Sequence, residues 1–389
     1  LTLGKYILGK RGHPRNTCQI TIREDLWMIT KTLFPGRYIQ GPGAIERLES
    51  ELQNFGQTGL AIMAPSAMKL LRNRMPQPVT GVRLFFEEFT RECCDREIER
   101  LAQIGNKHRA EFVVAVGGGK TIDTGKIVAD RLGTPVVVVP TIASTDAPCS
   151  ACAVVYSEEG LVIRVEYQKR NPDLVLVDSE VIANAPPRFL IAGMGDALAT
   201  WFEAESCQKT KSKNETGELG SLTAYALAQL CYDTLLEYGV SALVSCKANA
   251  VTPALEHVIE ANTLLSGLGF ESGGLATAHS IHNGLTVLPL THNYYHGEKV
   301  ALGVLASLFL NDKPKALIDE VYSFCESVGL PTTLAELGLT AVSPEELQKV
   351  AARACIAEEN IHHEGGEITP EMVVYALLAA DGEGQRRKA

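Results

Sequence analysis

The pattern of apolar and polar positions changes character once along the chain. Over residues 35–183, short continuous apolar runs alternate with stretches of helical spacing. Runs at 60–63, 82–86, 112–116, 135–139 and 174–177 predict strands. Stretches at 66–74, 95–109 and 121–132 predict helices, the middle one with Ile98, Leu101, Ala102 and Ile104 at helical spacing. Runs apolar at every position, separated by helices, predict a parallel sheet covered on both faces. Residues 153–165 depart from this and predict a β-hairpin around Ser157-Glu-Glu-Gly160. After Asp178 strand signals almost vanish. Helical patterns follow at 187–206, 221–238, 253–269, 273–287, 297–310, 314–328, 344–358 and 370–380, and Pro187 suits a first helical turn. The chain therefore divides into an α/β unit at 35–183 and an all-α unit at 184–389, preceded by an extension at 1–34.

Composition narrows the function. The 389 residues are 46% hydrophobic and 21% charged, a globular balance. Runs such as Val136-Val-Val-Val139 are too short to span a bilayer, so no membrane partner is expected. A formal net charge of −10 with no offsetting basic stripe excludes a general nucleic-acid binder. The ten cysteines are scattered, as expected of buried small hydrophobes in a reducing compartment. The first 23 residues hold Lys5, Lys10, Arg11, Arg15 and Arg23 and no acid. That is the character of an organelle transit peptide or of a disordered tail, so the expected location is the cytoplasm, or a mitochondrion or plastid.

Val114-Ala-Val-Gly117-Gly118-Gly119-Lys120-Thr121 places a glycine turn between a strand and a helix. Without Cβ atoms the backbone can approach a pyrophosphate, and the helix N-terminus favours its charge. A Walker A loop would need glycine at Val114, and a GxGxxG fingerprint would need it at Ile122. The loop is a phosphate-site candidate of neither standard type, or merely a tight turn. Thr141-Ile-Ala-Ser144-Thr-Asp146 follows the next strand, at the carboxyl edge where α/β sheets bind ligands. Cys149-Ser-Ala-Cys152 lacks the second pair of a structural zinc site and precedes a hairpin, which does not suit a redox motif.

Asp196, His279 and His296 lie on separate helical stretches rich in glycine. Two imidazoles and a carboxylate can hold a divalent ion and leave room for substrate. Spacing alone leaves this open: His282 lies three residues from His279 on the same face, and His257, His292, His362 and His363 also compete.

Several segments together resemble the glycerol dehydrogenases of the iron-containing (group III) alcohol dehydrogenase superfamily. They are Gly117-Gly-Gly-Lys-Thr-Ile-Asp123, Pro140-Thr-Ile-Ala-Ser-Thr-Asp-Ala-Pro-Cys-Ser150, Gly193-Met-Gly-Asp-Ala-Leu-Ala-Thr-Trp-Phe-Glu203, Thr252-Pro-Ala-Leu-Glu256, Gly269-Phe-Glu-Ser-Gly-Gly-Leu275 and Tyr294-Tyr-His-Gly-Glu-Lys-Val300. The match runs from about 35 to near 385. The resemblance implies a Rossmann-like dinucleotide domain, then a helical metal-binding domain, in a dehydroquinate synthase-like fold. It implies NAD-dependent oxidation of glycerol and related vicinal diols to dihydroxyacetone and its analogues, with zinc or Fe(II). It places the metal on Asp196, His279 and His296, and glycerol on Asp146. It places NAD on Gly118, Gly119, Lys120, Asp123, Thr141, Ser144, Ser150, Cys152 and Tyr156. It also implies a homo-oligomer, often an octamer. The sequence departs from the family where an acid usually binds the adenosine ribose, since Ala61-Ile-Met-Ala-Pro65-Ser has none, which puts NAD over NADP in doubt. Other departures are Cys152, residues 163–169, the basic tail 384–389 and the first 34 residues. Rival readings are a same-scaffold enzyme, such as a glycerol-1-phosphate dehydrogenase or a dehydroquinate-synthase-like lyase, and a non-catalytic cofactor- or metal-binding homologue.

Overall fold

The structure is a computed structural model that describes residues 28–76, 81–90 and 92–389. A six-stranded parallel sheet carries the first half. Its strands are β1 (Tyr38–Gly41), β2 (Thr58–Met63), β3 (Arg83–Glu88), β4 (Phe112–Gly117), β5 (Val136–Pro140) and β8 (Leu174–Asp178), in the order β1-β8-β5-β4-β2-β3. The predicted hairpin is the antiparallel pair β6 (Cys152–Tyr156) and β7 (Val162–Tyr167). Helices α1 (Leu48–Leu52), α2 (Pro65–Leu71), α3 (Asp95–His108) and α4 (Gly119–Leu132) link the strands, and α5 (Ser179–Ala183) follows the last one. One core fills the side of the sheet covered by α1 and α2, through Leu48, Met63, Val114 and Leu176. The other runs from Ile62, Val113 and Val138 into the helical half, through Met194, Leu235 and Val304. Every residue of β4, β5 and β8 is buried, which is why these strands are apolar throughout apart from Asp178 at the end of β8.

The helical half holds α6 (Pro187–Thr210), α7 (Leu222–Lys247), α8 (Pro253–Glu260), α9 (Ser266–Gly273), α10 (Thr277–Leu285), α11 (His296–Leu310), α12 (Lys315–Val328), α13 (Pro344–Ala354) and α14 (Pro370–Lys388). Helices α8 and α9 are one rod joined by a π turn at Ala261–Leu265. Among the described residues no helix is long and apolar enough to cross a membrane.

Differences from the sequence pattern have local causes. Strand β1 was not predicted: its four residues are only half-buried and form no apolar run, and it exists by pairing with β8. The helix expected from 273 begins at Thr277, because Gly274 turns to φ 108° and ends α9. Helix α13 ends at Ala354, short of the expected 358, while α7 and α14 run on to Lys247 and Lys388. The part of the extension that is described is tied down. Lys31 N–H donates to Leu219 O at 3.1 Å, and Leu33 N–H to Ser272 Oγ at 3.0 Å. The basic stretch at 1–23 lies outside the described residues.

Candidate active site

The sheet changes direction between β2 and β4. From β2 the chain passes outward to β3, then returns to β4 on the other side. Ligands of open α/β sheets sit at such a point, outside the carboxyl ends of the strands. Here the point is occupied by the glycine loop. Gly118 caps α4 in extended geometry without a side-chain cap, and Thr121 N–H turns back to Gly118 O at 3.0 Å, so the amides of Gly119 and Lys120 are the ones that can face a ligand. A Cβ at Gly117 would stand 2.9 Å from Ala64 Cβ, and one at Gly118 would stand 2.8 Å from Ile142. Close packing against Thr121 and Ala64 therefore demands glycine at 117, whereas at 118 only the flexible end of Ile142 would have to give way. Thr141 N–H donates to Gly117 O at 3.0 Å and fixes the next loop beside it. The Lys120 ammonium lies 2.7 Å from Glu92 Oε2 and 4.6 Å from the Tyr156 ring centre, so the hairpin flanks the loop.

Other residues expected at the cofactor face inward. Asp123 accepts from Val154 N–H at 3.1 Å and lies 3.1 Å from Lys126 Nζ. Lys126 is buried and donates to Ala147 O at 2.9 Å and to Cys152 O. Ser150 is fully buried, its hydroxyl 3.5 Å from Lys126 Nζ. Lys126 and Ser150 thus hold the 147–152 loop, and Asp123 holds Lys126 and the backbone of Val154 just after it, where the resemblance implied contact of Asp123 and Ser150 with NAD. Ser144 is buried and Cys152 is half-buried. Burial pushes the thiols of Cys149 and Cys152 up, and no disulfide joins them.

Asp196 on α6, His279 on α10 and His296 on α11 do converge. One donor atom from each lies within 4.8 Å of the others. His296 Nε2 is 3.0 Å and His279 Nε2 is 3.4 Å from Asp196 Oδ1. Asp196 Oδ1 is buried and has no hydrogen-bond donor, whereas Oδ2 accepts from Asp146 N–H at 3.2 Å. An orphaned, buried carboxylate oxygen facing two imidazole nitrogens is costly unless a cation completes it. Burial pulls the Asp196 carboxyl toward neutrality, but His296 and His279 outweigh it and hold it well below the usual range. Burial would lower His279, yet Glu203 and Asp196 outweigh it and raise it well above the ordinary value.

Close backbone approach makes this convergence possible. A Cβ at Gly297 would stand 1.8 Å from Ala192 O, and one at Gly195 would stand 2.3 Å from Gly297 O. The two glycines let α6 and α11 touch beside Asp196 and His296. A Cβ at Gly193 would meet Ala143 O at 1.9 Å, and Asn262 Nδ2 donates to that same oxygen at 3.0 Å. Asn262 lies in the π turn, a distortion frequent at functional sites. Just beyond it, Ser266 Oγ donates to Asp146 Oδ2 at 3.3 Å. Asp146 is buried beside the trio, and burial with the Asp196 charge raises its carboxyl well above the ordinary value.

Sequence reasoning missed Glu203. It lies two turns after Asp196 on the same face of α6, which is the signal that could have found it. Its Oε1 accepts from Ala276 N–H at 2.9 Å and His279 N–H at 3.0 Å, capping α10, which has no side-chain cap of its own. Its Oε2 lies 2.6 Å from His279 Nδ1. That carboxylate accepts a hydrogen bond from Nδ1–H, keeps the proton on Nδ1 and turns the Nε2 lone pair toward Asp196, the arrangement usual for a metal-binding imidazole. His257, His292, His362 and His363 are not in the cluster. His363 Nδ1 pairs with Leu275 O at 2.8 Å, and His292 Nε2 with Thr286 O at 2.9 Å.

A family model described as iron-containing alcohol dehydrogenase matches residues 35–179. The chain is 60% identical to the glycerol dehydrogenase of Thermotoga maritima, over 93% of this chain and 99% of the relative. It is 43% identical to the glycolaldehyde reductase of Halobacterium salinarum, over 90% of this chain and 97% of the relative. The solved structure of a probable glycerol dehydrogenase from Sinorhizobium meliloti superposes with a TM-score of 0.89 at 44% identity, covering 92% of this chain and 100% of that one.

Proposed function

The chain belongs to the iron-containing alcohol dehydrogenase family, and from that premise we propose that it oxidises glycerol and related vicinal diols, passing hydride to NAD. The observation that carries the reading is the meeting of Asp196 Oδ1, His279 Nε2 and His296 Nε2 beside Asp146, next to the loop at Gly118. The donor set suits zinc or ferrous iron, both of which accept two imidazoles and a carboxylate with open positions. A divalent ion bound there supplies Lewis acidity, which favours the alkoxide form of a diol hydroxyl.

The protein's own groups do the rest. Glu203 holds the His279 proton at Nδ1. Asp146, steadied by Ser266, bonds a second substrate hydroxyl and sets which carbon faces the nicotinamide. The amides of Gly119 and Lys120 and the Lys120 ammonium receive the cofactor's phosphates, while Thr141, Ser144, Cys152 and Tyr156 border its nicotinamide end. We also propose a homo-oligomer. Leu222, Leu230, Val240 and Val244 share one exposed face of α7, an apolar strip suited to contact with another copy.

The test is absorbance at 340 nm with glycerol, comparing NAD with NADP before and after chelation. The expected result is NAD reduction that stops on chelation and returns with zinc or ferrous iron. Activity with NADP alone would keep the chemistry and attribute the switch to Ala64-Pro65, where no acid follows β2. No reduction of either cofactor would favour the lyase-like or non-catalytic readings. The glycolaldehyde reductase relative supports a second substrate, so glycolaldehyde with NADH belongs in the same assay.

Asp146→Ala is expected to lower kcat/KM for glycerol by roughly 30–100-fold, the worth of about 2–3 kcal/mol for a hydrogen bond to a charged group. Bound metal should be unchanged, and 2-propanol should lose less than 1,2-propanediol. Equal losses on the two alcohols would show that Asp146 does not hold a second hydroxyl.

A further inference from the structure

His279 and His296 are held differently. His279 has Glu203 and a side chain only 14% exposed, whereas His296 is 34% exposed and has no carboxylate at Nδ1. Burial alone does not fix the His296 ring. Its Nδ1 lies 3.0 Å from His282 Nε2. His282 Nδ1 lies 3.1 Å from Asn283 Oδ1. Asn283 Nδ2 donates to both Glu359 oxygens, each at 3.1 Å. Glu359 is paired with Arg353 on α13.

The direction of every proton follows from the outer end inward. Ionised Glu359 only accepts, so Asn283 turns its NH2 toward it and its carbonyl toward His282. That carbonyl only accepts, so His282 carries its proton on Nδ1. The Nε2 of a neutral His282 is then an acceptor, and His296 must donate from its own Nδ1. The Nε2 of His296 is left with a lone pair, aimed at the place where Asp196 Oδ1 is orphaned.

The geometry points to His282 and Asn283, anchored by Glu359 and Arg353, as positioning residues that lock His296 in its metal-binding tautomer. The inference rests on the metal reading above. It makes α10 do two jobs one turn apart: His279 offers a donor, and His282 orients the donor of α11. It also couples ion affinity to a segment after α13 that supplies no ligand.

The experiment uses the full chain, loaded with zinc or cobalt(II), and compares His282→Leu, His282→Gln and Asn283→Leu with Asp196→Asn. Zinc affinity is read by competition with a chelator, the cobalt site by its visible spectrum, and folding by circular dichroism. His282→Leu and Asn283→Leu are expected to weaken zinc binding by about 10–100-fold, as loss of an orienting partner does, and to shift the cobalt bands. His282→Gln keeps an acceptor carbonyl and is expected to restore most of the affinity. If Asp196→Asn loses the ion while folded His282→Leu and Asn283→Leu bind it within about twofold of the parent, the positioning inference falls alone. If Asp196→Asn also keeps the ion, the metal reading falls with it. Should His282→Leu fail to fold, Asn283→Leu and Glu359→Ala carry the same test from further out.

Discussion

Asp196→Asn is expected to strip the bound divalent ion and to lower kcat/KM for glycerol by about a thousandfold, with the fold intact. The magnitude corresponds to losing roughly 4 kcal/mol of charge stabilisation by a Lewis acid. The substitution keeps shape and volume. The amide oxygen can still accept from Asp146 N–H, the bond that Oδ2 makes now. The amide nitrogen then occupies the place of Oδ1, 3.0 Å from His296 Nε2 and 3.4 Å from His279 Nε2. There it donates to the lone pairs that would hold the ion, and the site loses its one negative ligand. Metal content by plasma mass spectrometry, with steady-state kinetics, checks the result. A variant that keeps a full equivalent of tightly bound metal would sink the assignment of Asp196.

Gly297→Ala is expected to do similar damage without touching a donor atom. The new methyl would sit 1.8 Å from Ala192 O and 2.8 Å from Asp196 N, both backbone atoms that no side-chain rotation can move. Helices α6 and α11 must separate, and His296, the preceding residue, moves away from Asp196. Overpacking of this kind costs about 3 kcal/mol or more, so the melting temperature should fall along with metal content and turnover. Gly382→Ala on α14 is the control. Nothing lies within 4 Å of its Cβ position, and alanine is the better helix former there. If Gly297→Ala retained parental stability and metal, close helix contact would not be what assembles the site.

The legible part of the fold was the part with a short period. Fully buried strands such as β4 and β5 are continuous apolar runs, so the sheet, its parallel character and the helices beside it could be read directly. The hairpin followed from its turn. Strand β1 was illegible because it depends on Leu174–Asp178, far along the chain, for every ladder bond. The break before α10 depends on the positive φ of Gly274, whose place inside an apolar helical pattern gave no sign of it.

The same division runs through the site. The chemical menu was in the sequence: a glycine turn after a strand, a nearby aspartate, and Asp196 among nine histidines. Motif resemblance singled out His279 and His296 from that list, whereas spacing could not. The glycine-permitted approach of α6 to α11, the capping of α10 by Glu203 and the proton order from Glu359 to His296 emerge only in three dimensions. The physical reason is range. Periodicity and turn chemistry report on neighbours a few residues away, so the sequence by itself determined the elements and the reactive groups they carry. Which groups face one another, and which nitrogen keeps its lone pair, depends on contacts between backbones and side chains remote in sequence, and the tertiary structure alone decided these.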